Sequence, residues 1–210
     1  MAVMLVSGQA SDGRLGRFGA VVGSLTEGET AQITRLADSF GKSPRLVWGS
    51  PSMFGGLESI TVYLEPDIAG GDVQRGRLLR LEADAPPRMP KRSAWRVKDA
   101  QSYACVAAPG RRHFELGSEQ DIGWPFVIDG ELDDATLVSI VGFIRTRPRI
   151  PGTRKGAIPR DVADAPISFI TRRRDEVIVH LRTGVATGEE VTMVRREGSW
   201  LIINHGMWIS

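Results

Sequence analysis

Apolar and polar residues alternate most regularly at the end of the chain. Four stretches, at about residues 167–172, 176–182, 190–196 and 199–209, carry this pattern. Period-two alternation marks strands with one buried face. Arg174-Asp175 and Glu197-Gly198 fit short hairpin turns, the second with Gly where a positive φ is needed. Thr183 to Gly188 is a longer connection bounded by glycine. Residues 166–210 therefore predict a four-strand antiparallel meander.

Counting outward from the turns gives a register. Arg195 falls opposite Trp200, Met193 opposite Ile202, and Glu190 opposite His205. Across the 184–188 connection, Val179 falls opposite Met193 and His180 opposite Thr192. One face then holds Val177, Val179, Leu181, Val191, Met193, Trp200 and Ile202, and reads as core. The other holds Ile178, His180, Glu190, Thr192, Val194, Leu201, Ile203 and His205. Such a mixed face suits either a pocket wall or a surface under a second protein layer.

Helical periodicity appears twice upstream. Ile33, Leu36, Ala37 and Phe40 make an apolar face over about 27–40, with Thr26-x-x-Glu29 as a capping box and Gly41 as the stop. Leu132, Leu137, Ile140, Val141 and Ile144 make a second over about 131–146. Asp129 reads as its cap, Arg145 and Arg147 complement the dipole at its end, and Pro148 ends it. This second helix is expected to cover the core face of the meander. Further strands are predicted at 45–49, 58–65, 76–82, 94–98 and 101–108, and Asp84 to Ser93 is a proline-rich loop or linker. The expectation is an α+β protein of antiparallel sheets with two main helices. It divides into a leader or strand at 1–25, an α+β part at 26–83, the 84–93 loop, and a second α+β part at 94–210.

A helix feeding a meander that ends in an aromatic strand resembles cystatin-like and nuclear-transport-factor-2-like domains. The residues that carry the resemblance are Gly188-Glu189-Glu190-Val191, Arg195-Arg196-Glu197-Gly198-Ser199-Trp200 and Trp208-Ile209-Ser210. It covers about residues 131–210 and implies a fold rather than an activity.

Composition leaves this picture intact. With 41% hydrophobic residues in 210, the chain can bury a sizeable core. A net charge of +2 points to no strongly charged partner for the whole chain. Cys105 is the single cysteine, lies in an apolar stretch and reads as a small buried residue. No run approaches the roughly 18 apolar residues of a membrane span. Met1-Ala-Val-Met-Leu-Val6 and Gly8-Gln-Ala10 fit either the end of a signal peptide, for a periplasmic or secreted protein, or an ordinary leader or strand, with the cytoplasm as the location.

Known chemistry is sparse. Gly41-Lys42-Ser43 lacks the earlier glycine of a phosphate loop, since Leu36 stands in its place. Neither Gly-x-Ser-x-Gly nor His-Glu-x-x-His occurs. His180 and His205 lie about 10 Å apart on the expected face, with no third ligand at metal spacing. Asp129, Glu131, Asp133 and Asp134 are explained by the start of a helix, and His113 with Glu115 by a short strand. No cofactor or metal is predicted. Candidate ligand-binding residues are His180, Glu190, Thr192 and His205; the alternative is an enzyme with its site around His180, Glu190 and His205, where Glu190 and His205 form an acid–base couple. The basic loop after the second helix offers Arg149, Arg154, Lys155 and Arg160 for an acidic partner. Nucleic-acid binding through the basic loop 145–174 is a weaker alternative, because no aromatic residue interleaves the basic ones of 145–165. The leading expectation is a non-catalytic binding or interaction protein taking a protein or small-molecule ligand.

Overall fold

The computed structural model describes residues 27–51, 57–67, 72–83, 94–107, 125–150, 157–183 and 187–209. Thr26, the 1–25 leader, the 84–93 loop, His113, Glu115, Arg154 and Lys155 lie outside the described residues. The chain forms α+β structure with a mostly antiparallel sheet. It divides into two compact units. The first takes residues up to 69, 75–103 and 115–122, and the second takes 70–74, 104–114 and 123–210.

The first unit contains α1 (Glu27–Asp38), β1 (Pro44–Pro51), β2 (Leu57–Leu64), and most of β3 (Val73–Ala83) and β4 (Trp95–Val106). β1, β2 and β3 pair in antiparallel succession. Alternation in Ser59–Leu64 has the expected result, with Ile60, Val62 and Leu64 fully buried. α1 buries Ile33 and Ala37 beside them, while Phe40 is exposed beyond the helix. Gly41 ends the helix with φ 67°. Trp95 ties α1 down twice: its indole donates to Glu29 and its carbonyl accepts from Gln32. β4 is one strand where two were expected. Its middle, Arg96 to Ser102, is mostly exposed and polar, so the hydrophobic signal lapses while the backbone stays extended.

Tyr103 is the largest fully buried side chain of this unit, and its hydroxyl donates to the Leu64 carbonyl at 2.7 Å. Gly76 makes room for it. A Cβ at residue 76 would stand 2.7 Å from the Tyr103 ring.

The second unit contains β5 (Phe126–Asp129), α2 (Asp134–Arg145), α3 (Arg160–Ala163), β6 (Ile167–Arg173), β7 (Glu176–Arg182), β8 (Thr187–Arg196) and β9 (Ser199–Ile209). β6 to β9 form the antiparallel meander. α2 lays Leu137, Ile140 and Ile144 on Val177, Val179, Leu181, Val191, Met193, Trp200 and Ile202. Trp200 also donates its indole N–H to Ser139 of α2 at 2.9 Å.

Two expectations fail here. β5 is parallel to β6, with Val127 opposite Phe169, so the sheet is mixed. Four residues are too few to show periodicity, and α2 is the crossover that parallel pairing requires. The two expected main helices are present, and α3 adds a single turn beside them. Asp129 ends β5 rather than capping α2. Gly130 turns the chain with φ 93°, and Asp133 is the cap, accepting from the Thr136 N–H at 2.7 Å. Arg145 stands in the last turn of α2 as expected, and it also donates to the carbonyls of Ala163 and Ala165.

Two outcomes follow. Gly76→Ala must displace Tyr103, so urea denaturation should show a loss of about 1–3 kcal/mol. The Thr136 hydrogen bonds hold the Asp133 carboxyl below its ordinary pKa. Its contribution is then present above the unfolded-state pKa and lost as pH falls through the folded one. Asp133→Ala should lower the melting temperature at neutral pH, with the gap to wild type closing on acidification.

Candidate functional site

The two hairpin turns of the meander lie at the same end of the sheet. Arg174 (φ 56°) and Asp175 make the first, and Glu197 (φ 50°) and Gly198 (φ 81°) the second. The second turn has positive φ at two successive residues, the hairpin conformation that matches strand twist. Each turn is flanked by arginine, so folding gathers two basic clusters that are distant in sequence.

They line a cleft of about 770 Å³. Arg172, Arg173 and Arg174 come from the first hairpin, and Arg195 and Arg196 from the second. Asp175, Glu176, Leu132, Thr136 and Trp200 add to its walls. Among the described residues, none of the five guanidinium groups has a carboxylate at ion-pair distance. Two of them are braced by carbonyls. Arg172 donates to Glu131 and Arg174, and Arg195 donates to Gly198 while lying 5.9 Å from the Trp200 ring centre. Arg173, Arg174 and Arg196 are exposed. The sequence signal was the pair of runs Arg172-Arg-Arg174 and Arg195-Arg196, each beside a two-residue turn.

Arg149 is exposed and bridges Ala157 across the loop, away from the set that lines this cleft. Arg160 opens α3.

The predicted ligand-binding residues divide. Arg195 pairs with Trp200 and Met193 with Ile202, as the turn requires. Thr192 then pairs with Asn204, which leaves Ile203 as an extra residue in β9. This bulge moves everything beyond it to the other face. His205 therefore lies opposite Val191, not Glu190, and its Nε2 stands 3.0 Å from Glu189 Oε2 on the α2 side of the sheet. Neither atom is aligned for a hydrogen bond.

His180 and Glu190 stay on the other face. They are directly opposite one another, not His180 opposite Thr192, and their nearest atoms are 3.7 Å apart. Val179 likewise meets Val191 rather than Met193. The displacement is two residues because Gly188, read as a loop boundary, belongs to β8 and pairs with Arg182. An even slide preserves the faces, which is why the core assignment stood. Phe169, His180 and Trp208 form an edge-to-face array beside this pair, with ring centres 5.8 and 6.4 Å apart. Thr192 is buried at 7% exposure, whereas Leu201 and Ile203 on the same strand system are 46% and 47% exposed. Of the four residues expected to share a site, His180, Glu190 and Thr192 thus keep one side of the sheet and His205 lies on the other.

Among the described residues, no group of three or more His, Cys, Asp or Glu is placed to hold a metal. Cys105 is buried, and burial raises its thiol pKa far above the ordinary range. No helix among the described residues is long and apolar enough to cross a membrane.

Gly188 is a residue of close approach. A Cβ there would stand 2.2 Å from the Leu181 carbonyl oxygen and 2.4 Å from the Trp208 ring. Gly188→Ala should cost at least about 3 kcal/mol in urea denaturation, since backbone rather than a flexible side chain must yield.

Compared with known proteins, the chain matches no family model, no curated protein and no solved structure, so the arginine cleft and the divided histidines are the ground on which its function is argued.

Proposed function

We propose that the chain is a non-catalytic binding protein and that its second unit holds a small phosphate-bearing ligand in the arginine cleft. The observation that carries this is five guanidinium groups around one cleft with no carboxylate partner at ion-pair distance among the described residues. Like charges gathered this way repel, and an anion between them relieves the repulsion. Guanidinium forks match phosphate oxygens two at a time. The cleft volume of about 770 Å³ falls within the range of small-molecule sites. Asp175 and Glu176 limit the basic surface and disfavour a long polyanion. Trp200 is only 8% exposed beneath Arg195, so it offers no stacking platform for nucleic-acid bases.

The resemblance of residues 131–210 to cystatin-like and nuclear-transport-factor-2-like domains belongs to the same proposal. It is supported by α2 packed on the meander, with Leu132 and Thr136 forming a cleft wall. The enzyme alternative is weaker, because His205 faces away from His180 and Glu190.

Calorimetric titration with inorganic pyrophosphate and with a nucleoside triphosphate tests the reading. Each of Arg173→Ala, Arg174→Ala and Arg196→Ala should weaken binding about tenfold, as expected for one charge-assisted hydrogen bond. Arg172 and Arg195 are left in place because they brace the turns. Unaltered affinity in the triple variant would sink the proposal, as would failure of wild type to bind either anion.

A further inference from the structure

β9 is the last strand of the second unit and, among the described residues, pairs with β8 along one side only. It runs eleven residues, Ser-Trp-Leu-Ile-Ile-Asn-His-Gly-Met-Trp-Ile. None is Lys, Arg, Asp, Glu or Pro. Exposed edges are ordinarily guarded by charge, proline or shortness. β1, the edge of the first unit, carries Pro44, Arg45 and Pro51. β9 has a bulge as its one guard, and beyond it the pairing with β8 continues unbroken from Asn204 to Ile209.

Apolar exposure concentrates on the same strand. Of the five large apolar side chains exposed among the described residues, Leu201, Ile203 and Met207 belong to β9, with Met207 at 72%. Gly206 adds an independent observation. Glycine within a strand often marks a bulge, a bend or the close approach of a ligand or another backbone. Gly76 and Gly188 each have a close approach inside the chain, from Tyr103 and Trp208. Gly206 has none: a Cβ there would meet nothing within 4 Å among the described residues. It sits at the middle of the uninterrupted, charge-free stretch.

We infer that β9 joins two copies of this chain, edge to edge and antiparallel, about a two-fold axis at Gly206. Alternate residues of β9 turn their N–H and C=O groups away from β8, and a second copy supplies the matching row. The axis sets Gly206 against Gly206 of the second copy, Met207 against its His205, and Asn204 against its Trp208. Like faces then adjoin, so the exposed Leu201 and Ile203 of both copies extend one surface. A neutral edge meets itself without repulsion, and a net charge of +2 on 210 residues opposes approach little. A second copy is favoured over an acidic or basic peptide because the edge has no charge with which to select one.

Sedimentation velocity of the full chain, from low micromolar to near-millimolar concentration, should show a monomer–dimer equilibrium. Met207→Lys alters an exposed side chain and should weaken the dimer about two- to fivefold, from like charges set diagonally on facing strands. Gly206→Cys fits open space and should give a disulfide-linked dimer on mild oxidation, while wild type, with buried Cys105, gives none. Circular dichroism confirms that both variants fold. A wild type that stays monomeric, or a dimer that neither change touches, overturns the inference. Pyrophosphate titration of the Met207→Lys variant separates this outcome from that of the cleft, since β9 pairing and the arginines act independently.

Discussion

The burial of one face of the meander under α2 is the constraint on which the second unit rests. A sheet with a single apolar face must cover it. Leu137, Ile140 and Ile144 are fully buried against strands whose inward residues are nearly all below a few percent exposure. That packing fixes the sheet's outward face, the end at which its turns lie, and the wall that α2 presents beside them. The arginine cleft is a by-product of the same arrangement. Its basic residues stay in solvent because the turns lie beyond the buried stripe.

The legible parts of the sequence were those governed by local periodicity. Val177, Val179 and Leu181, or Ile60, Val62 and Leu64, announce their burial through spacing alone. Pairing between strands was less legible, and the two errors differ in kind. Misjudging the 183–188 connection slid β8 by two residues, which left every side chain on its proper face. The extra Ile203 changed parity, which sent His205 to the side opposite His180. A bulge has no spacing signature in Ile202-Ile203, two similar residues in a row. β5 escaped notice because four residues carry no period, and the cap of α2 was misplaced because four acids stood close together.

The cleft was hidden for another reason. Arg172–Arg174 and Arg195–Arg196 are ordinary polar turn flanks when read singly. Only the alternation of hairpin direction brings the first and third turns of a meander to one end, and this is a property of topology rather than of either segment. The glycines teach a related lesson. Gly188 reads as a loop residue until Trp208 is seen lying against it, and Gly76 gives no sign of Tyr103. In each case the informative partner is far along the chain.

Arg145 has a consequence beyond its own hydrogen bonds. Its guanidinium reaches Ala163 and Ala165, while Ile158 donates to Pro148 and Arg149 bridges Ala157. The ends of α2 and β6 are thereby clasped from within, and the intervening span closes on itself at its base. Arg145 therefore ties the end of α2 to the start of β6 through side-chain hydrogen bonds that owe nothing to the sheet ladder.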